Sequence, residues 1–256
     1  MESIKLHYRE FGEGQPLIIL HGLFGFSDNW QTHAKRLSQY YRVILVDLRN
    51  HGHSPWSDEF SYEIMAKDVL ALMDDLKIEE SILIGHSMGG KVVMHMAILD
   101  QDRLSKMIVV DMGIKGYSMH HQDIIAGIRA IPVEQIKVRR EADEILQKHI
   151  DSYGVRQFLL KNLHWIEKGK LAWRINIDVL EREMPEILSA LPTGEIGVPS
   201  LFIRGGRSNY IADSDLAAIE NQVFDVEFET IENAGHWVHS EAPDEFIESV
   251  LDFCLR

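Results

Sequence analysis

Short apolar runs alternate with amphipathic segments along much of this chain. The runs are continuous and rich in valine, isoleucine and leucine, as strands buried on both faces of a sheet should be. They are PLIIL, RVILVD, SILIG, KMIVVD, PSLFIR and VEFETI. Strands that alternate with helices predict an α/β fold, with a mostly parallel central sheet and helices on both faces. SIKLHYREF alternates only in part, which predicts an antiparallel edge strand at the start.

The alternation stops after KMIVVD. From about Gly113 to Pro192 the chain carries helical patterns and no buried-strand pattern. A connection of roughly 80 residues is far longer than an ordinary crossover between strands. We therefore expect a helical cap inserted into the core, with residues 1–112 and 196–256 forming the core and residues 113–195 the cap.

The composition excludes several classes of partner. The chain has 256 residues, 45% of them apolar, and its 26 basic and 40 acidic residues give a net charge of -14. Binding to nucleic acid or to an anionic membrane surface needs clustered lysine and arginine, so neither is expected. MESIKLHYRE lacks the basic and apolar regions of a signal peptide, and no apolar run is long enough for a membrane span. With Cys254 as the single cysteine, no internal disulfide forms, and we expect a cytoplasmic protein.

The stretch ILIGHSMGGK places a serine at the end of an apolar run and before a helical pattern. G-x-S-x-G in this strand-to-helix context is the nucleophile elbow, in which a strained turn exposes the serine hydroxyl. Gly85 and Gly89 remove side chains that would collide with neighbouring backbone, and Gly90 lets the helix pack closely. Ser87 is therefore the predicted nucleophile, and the helix start turns the Met88 backbone N–H toward negative charge that forms beside it.

His236 is the predicted general base among thirteen histidines. It lies in ENAGHWVHSEAPDEF, after the last predicted strand, and so at the sheet edge where open α/β sheets place their sites. His239 is interpreted as a surface histidine of the same loop. His51 and His53 have no ligand set of suitable spacing beside them, so we expect no metal site.

The loop HGLFG follows the predicted strand PLIIL and should supply the second donor of an oxyanion hole. We expect the Leu23 backbone N–H to be that donor, with the N–H of Phe24 as the alternative. His21 is interpreted as a structural residue that forms hydrogen bonds within the turn.

Together HGLFG, DLRNHGHS, GHSMGGK and NAGHWVHSEAPDEF resemble the α/β-hydrolase superfamily. HGLFG combined with LRNHG is most similar to the bacterial YbfF-type esterases and thioesterases and to their mitochondrial ABHD-type relatives. That resemblance implies an esterase or acyl thioesterase that needs no cofactor.

The catalytic acid departs from the pattern of many superfamily members, which carry it after the next-to-last strand as G-x-x-D. Ser208 holds that position here, and Asp213 and Asp215 fit the first turn of a helix better. The YbfF-like pattern implies that Asp111, at the end of KMIVVD, is the acid; the alternative is a strand-end aspartate that caps the next turn. Ser208 is then either a helper of the triad or a polar turn residue.

The predicted reaction is hydrolysis of a carboxylic ester or acyl thioester through an acyl-enzyme. Phe24, Trp165 and Tyr210 are the candidate substrate-binding residues. Three cations, Lys115, Arg204 and Arg207, are either solvated surface charges or contacts for the phosphates of an acyl-coenzyme A substrate.

Two alternatives stay open from the sequence. One is a C–C bond hydrolase or another cofactor-free enzyme on this fold, and the other is a ligand-binding relative without catalysis. Ser87 excludes a dehalogenase or epoxide hydrolase, because both need an aspartate nucleophile. The oligomeric state is left undetermined by the sequence.

Overall fold

A seven-stranded sheet lies at the centre of the computed structural model, which describes residues 3–119 and 121–256. The strands are β1 (Tyr8–Phe11), β2 (Pro16–Leu20), β3 (Arg42–Val46), β4 (Ser81–His86), β5 (Leu104–Val110), β6 (Leu163–Glu167), β7 (Lys170–Trp173), β8 (Ser200–Gly205) and β9 (Val226–Ile231). The order in the sheet is β1-β3-β2-β4-β5-β8-β9, and β6 and β7 pair in a separate hairpin.

The sheet is parallel except at one edge, where β1 pairs antiparallel with β3. All six apolar runs are strands of this sheet, and the partly alternating first segment supplies the edge. The predicted α/β fold class is therefore confirmed. Strands β2, β3 and β4 are almost wholly buried, which explains why they are apolar at consecutive positions and do not alternate.

Helices cover both faces of the sheet. They are α1 (Gln31–Leu37), α2 (Tyr62–Asp75), α3 (Met88–Asp100), α4 (Gln122–Ala130), α5 (Arg139–Leu146), α6 (Tyr153–Leu160), α7 (Ile177–Arg182), α8 (Met184–Ile187), α9 (Asp213–Gln222), α10 (Val238–Glu241) and α11 (Pro243–Cys254). Buried side chains of α1 and α11 pack in one apolar layer, and those of α2 and α3 pack in the other. Among the described residues, no helix is both long and apolar enough to cross a bilayer.

The segment between β5 and β8 contains α4 to α8, as the helical patterns predict, and also the β6–β7 hairpin, which they do not. The hairpin strands are largely exposed, so they lack the continuous apolar run that marks a buried strand. Its turn contains Gly169 at φ 83°. Pro185 lies in the first turn of α8 and separates it from α7, which divides the single helical pattern of the sequence.

Both ends of this segment are joined to α3 by one buried lysine. Lys91 Nζ donates hydrogen bonds to the carbonyl oxygens of Lys115 and Ser189, at 2.9 and 2.8 Å. Because α3 begins directly after Ser87, these bonds connect the inserted residues to the helix behind the predicted nucleophile.

Candidate active site

Ser87 lies in the sharp turn between β4 and α3, with φ 51° and ψ -117°. The surrounding glycines leave no room for side chains. A Cβ atom on Gly85 would lie 2.3 Å from the Gly89 carbonyl oxygen, and one on Gly89 would lie 2.5 Å from the Leu20 carbonyl oxygen. Tight backbone packing on both sides of the turn therefore holds the strained serine in place.

His236 connects Ser87 to Asp111. Its Nε2 atom is 3.1 Å from Ser87 Oγ, and its Nδ1 atom is 2.7 Å from Asp111 Oδ2. Asp111 follows β5 at φ 48° and is fully buried, whereas the His236 side chain is 21% exposed. The three residues that the sequence selects thus meet at the carboxyl edge of the sheet, with separations that allow proton transfer from the serine.

Protein donors hold both oxygens of the Asp111 carboxylate. Oδ1 accepts the Gly205 backbone N–H at 3.1 Å, and Oδ2 accepts the Ser208 hydroxyl in addition to facing His236. Ser208 therefore contacts the predicted acid, and its Oγ accepts the Tyr210 N–H at 3.3 Å. A Cβ atom on Gly205 would lie 2.2 Å from the Gly235 carbonyl oxygen, so glycine there lets the His236 loop approach.

The loop HGLFG is pinned to the loop LRNHG by two neutral histidines. His21 Nδ1–H donates to the Gly22 carbonyl at 2.8 Å, and its Nε2 accepts the Leu48 N–H at 3.0 Å. His51 Nδ1–H donates to the Arg49 carbonyl, and its Nε2 accepts the Phe24 N–H at 3.3 Å. Burial lowers the pKa of His51 to about 3, which keeps this acceptor unprotonated.

Phe24 is held at both of its backbone polar groups. Its N–H is bound by His51, and its carbonyl accepts a hydrogen bond from Asn162 Nδ2 at 2.8 Å. Because the Phe24 N–H already donates to His51, it is less available as an oxyanion donor. The structural roles of His51 and Asn162 are not visible in the sequence pattern, since each depends on a partner in a distant loop.

A cavity of roughly 230 Å³ opens beside Ser87. Phe24 and Tyr210, two of the predicted substrate-binding residues, line it together with Ile124 of α4 and Phe158 of α6. The Tyr210 ring also stacks on His236, with ring centroids 3.9 Å apart.

Trp165 is not brought to this cavity. Its side chain lies on the hairpin strand β6, is 46% exposed, and pairs across the hairpin with Leu171 near the turn. The aromatic wall is formed instead by Phe24, Phe158 and Trp237.

His239 is buried, so its interpretation as a surface histidine is wrong. It is 5% exposed, and its ring stacks on Trp30 with centroids 4.0 Å apart and planes at 13°. His86, also buried, donates from Nε2 to the His236 carbonyl at 2.9 Å, and burial lowers its pKa to about 3. Neutral histidines therefore pack behind His236 and fix its loop.

The charged residues near the site are paired with one another. Three ion pairs do this: Arg204–Asp213, Lys115–Asp215 and Arg207–Glu241. Asp213 is mostly exposed, whereas Asp111 is fully buried. The three cations proposed for a coenzyme A phosphate are thus each neutralised by a neighbouring carboxylate.

The structure also assembles a possible ligand set that sequence spacing did not reveal. Nδ1 atoms of His7 and His53 lie 3.0 and 3.3 Å from Asp47 Oδ2. Asp47 already accepts the backbone N–H groups of Ser27 and His53, and Arg174 Nη1 lies 2.6 Å from His53 Nε2. These contacts make the cluster a hydrogen-bonded support for the turn. A metal ion needs electron-rich ligands, and the positively charged Arg174 guanidinium beside His53 would repel it.

Known proteins are similar to this chain in sequence and in structure. Residues 15–136 match the family described as alpha/beta hydrolase fold. The chain is 36% identical over 246 residues to the sn-1-specific diacylglycerol lipase ABHD11 of Mus musculus, covering 93% of this chain and 80% of that protein. It is 36% identical over 236 residues to Esterase YbfF of Escherichia coli (strain K12), covering 92% and 91%. A solved structure, Marine microorganism esterase, matches with a TM-score of 0.96 and 40% identity, covering 98% of this chain and 100% of that one.

Proposed function

This chain belongs to the alpha/beta hydrolase fold family and is a carboxylesterase-type hydrolase, and on that premise we propose that Ser87 is its nucleophile. The observation that carries the assignment is the position of His236, 3.1 Å from Ser87 Oγ and 2.7 Å from Asp111 Oδ2. A histidine between a hydroxyl and a buried carboxylate is the arrangement that activates serine for acyl transfer.

The first half of the reaction forms an acyl-enzyme. Ser87 Oγ attacks the carbonyl carbon of the ester while its proton passes to His236 Nε2. The backbone N–H groups of Leu23 and Met88 hold the oxyanion of the tetrahedral intermediate. When the intermediate collapses, His236 returns the proton to the leaving alcohol or thiol. Water then attacks the acyl-enzyme with His236 as the base, and the carboxylic acid leaves.

Asp111 accepts the His236 Nδ1–H throughout this cycle. That bond selects the imidazole tautomer whose Nε2 faces Ser87, and it stabilises the imidazolium that forms. Gly205 and Ser208 orient the carboxylate, and Tyr210 packs on the imidazole ring.

We propose further that residues 113–195 act as a cap over the site. Ile124 and Phe158, from α4 and α6, supply apolar surface to the cavity beside Ser87. Asn162 ties the end of α6 to the oxyanion loop through the Phe24 carbonyl. The cap would therefore both shape the substrate pocket and steady one oxyanion donor.

Cell fractionation tests the cytoplasmic location predicted from the sequence.

The proposed substrates are neutral carboxylic esters rather than acyl-coenzyme A. Lys115, Arg204 and Arg207 are each paired with a carboxylate, which leaves these three cations less able to attract phosphate groups. Acyl-coenzyme A should be hydrolysed no faster than a neutral ester of equal acyl length, with a ratio that ionic strength does not change. A preference for acyl-coenzyme A that declines as salt is added contradicts this choice of substrate.

Hydrolysis of p-nitrophenyl esters with two to sixteen acyl carbons tests the triad. Ser87→Ala should abolish activity, and Asp111→Asn should lower kcat by ~10³–10⁴-fold, because the amide favours the wrong tautomer of His236. The chain-length profile of the unchanged enzyme measures the acyl pocket. Near-normal activity in Asp111→Asn places the acid elsewhere, and an unchanged enzyme that cleaves none of these esters contradicts the esterase assignment.

A further inference from the structure

A second cavity adjoins the catalytic cavity on the far side of two aromatic rings. It has a volume of roughly 460 Å³ and lies between α6 and residues 237–241. Four residues border both cavities: Asn29, Phe158, Trp237 and His239. Residues that line both cavities lie between them. This group therefore forms the boundary that separates the space beside Ser87 from the second cavity.

Phe158 and Trp237 supply the aromatic part of this boundary. Their ring centroids are 5.9 Å apart and their planes meet at 53°. Phe158 belongs to α6 of the inserted segment, whereas Trp237 belongs to the core and directly precedes α10; both side chains are partly buried. Asn29 is held by a hydrogen bond within its own turn, and the buried His239 ring is held by stacking. The two facing rings are thus the part of the boundary that a change of side chain can open.

The backbone beneath both rings is held in place. Asn162 follows Phe158 by about one helical turn and donates to the Phe24 carbonyl at 2.8 Å. The Trp237 carbonyl accepts two backbone N–H groups of α10, both at 2.8 Å. The fold therefore sets the position of the boundary, and the two side chains set how far it closes.

The sizes of the two cavities show what the boundary controls. Pockets that enclose most of a drug-sized ligand have volumes of roughly 300–1,000 Å³. The catalytic cavity, at roughly 230 Å³, lies below that range, whereas the two cavities joined would lie within it. The rings between them therefore decide how much of a substrate the site can enclose.

Resting on the proposed function, we propose that Phe158 and Trp237 form an aromatic partition that limits the length of the ester. An ester arm that extends from Ser87 toward α6 ends at these rings, and a longer arm gains no further buried surface. Loss of the Phe158 ring joins the two cavities. A longer arm can then continue along α6, where Val155 lies one turn before Phe158 and borders the second cavity. Each methylene buried there strengthens binding.

Two series of esters test the partition, each used below its critical micelle concentration. The p-nitrophenyl series varies the acyl arm. Alkyl esters of one acid, followed by titration of the acid released, vary the alcohol arm. Values of kcat/KM relative to the shortest ester of a series do not depend on how much enzyme is folded. The length with the greatest value defines the limit, and the series that responds identifies the arm that meets the partition.

Phe158→Ala should raise the relative kcat/KM about tenfold, in one of the two series, for an ester two carbons longer than the limit of the unchanged enzyme. Each buried methylene supplies up to about fourfold. Phe158→Tyr keeps a ring and should keep the limit. Val155→Ala is the matched control, because Val155 lies in the same helix and borders only the second of these two cavities. It should leave the limit unchanged.

Three outcomes overturn the partition. They are a Phe158→Ala enzyme with unchanged limits in both series, a Val155→Ala enzyme whose limit shifts as far, and an unchanged enzyme whose kcat/KM rises to the longest ester of both series. Each can occur while Ser87-dependent hydrolysis continues, so the proposed function survives. An enzyme that hydrolyses no ester of either series contradicts the proposed function itself.

Discussion

Ser208 occupies the position at which many α/β hydrolases carry the catalytic acid, and its hydroxyl here contacts the proposed acid, which comes from another strand. It donates to the same Asp111 oxygen that faces His236. A carboxylate oxygen accepts more than one hydrogen bond, and each donor restricts its orientation. The hydroxyl at the usual position therefore orients the carboxylate that we propose as the relocated acid.

Ser208→Ala should lower kcat roughly 10- to 100-fold and leave KM nearly unchanged, because Asp111 loses a charge-assisted hydrogen bond. Steady-state kinetics on the best p-nitrophenyl ester measures both constants. Ser249→Ala is the control, since that hydroxyl only donates to the Glu245 carbonyl on the surface of α11. A Ser208→Ala enzyme with the kcat of the unchanged protein would remove Ser208 from the machinery.

The role of a single residue can be predicted from the sequence when the residues that position it lie nearby in the chain. Ser87 sits within one continuous motif whose glycines have a local steric reason, and His236 follows a recognisable strand. His239 is only three residues further, yet its burial depends on Trp30, more than 200 positions away. No local pattern carries that information, so the sequence predicted a surface residue and the structure has a core one.

At the scale of elements, the turn at Ser87 depends on how closely α3 approaches the sheet. Gly89 lies in the first turn of α3, against the backbone at the end of β2. The same contact sets the distance between the two proposed oxyanion donors, because Leu23 follows β2 and Met88 begins α3. A helix that moved away from the sheet would therefore disturb both stability and catalysis.

Gly89→Ala should lower the free energy of unfolding by about 2 kcal/mol or more, because the new Cβ would lie 2.5 Å from the Leu20 carbonyl oxygen. Gly154→Ala is the matched control in α6, where the nearest atom outside its own helix backbone would be 3.9 Å from the added carbon. That change should be neutral or stabilise by up to about 1 kcal/mol. Urea unfolding of both variants measures the difference, and equal stabilities would contradict the steric argument.

The elements themselves were predictable in proportion to their burial. Strands β2, β3, β4, β5 and β8 are mostly buried and rich in consecutive apolar residues, and they were found from that pattern. β9 was found too, although it is an edge strand whose residues alternate between partly buried and exposed positions. The β6–β7 hairpin is exposed and short, so its stability comes from packing against its neighbours rather than from a pattern of its own. Helices α5, α7 and α8 are shorter than the helical patterns that predicted them.

The whole molecule contains several histidines that the fold keeps neutral. Burial lowers the pKa of both His51 and His86 from 6.5 to about 3, and it also lowers the pKa of His21 and His239. Between pH 6.5 and 3 the unfolded chain binds protons at His51 and His86 and the folded chain does not. The folded state therefore has its full stability above pH 6.5 and loses stability as the pH falls toward 3.

Lowering the pH from 7 to 5 should cost about 2 kcal/mol of stability for each histidine whose pKa falls to about 3. Urea unfolding at the two pH values measures this loss. His86→Gln should lose about 2 kcal/mol less than the unchanged protein, whereas replacement of the exposed His149 by glutamine should reproduce the original loss. An identical pH dependence in His86→Gln would show that this residue does not drive acid unfolding.

The strands that flank residues 113–195 are neighbours, since β5 pairs directly with β8 along Met107–Val110 and Ser200–Ile203. The chain thus leaves the sheet and returns to it at adjacent points, and Lys91 binds carbonyl oxygens near both. Such an arrangement lets an evolving lineage lengthen, shorten or exchange the inserted residues without altering strand order or the turn at Ser87. On the proposed function, substrate range can then change within the inserted residues while the chemistry at Ser87 is kept.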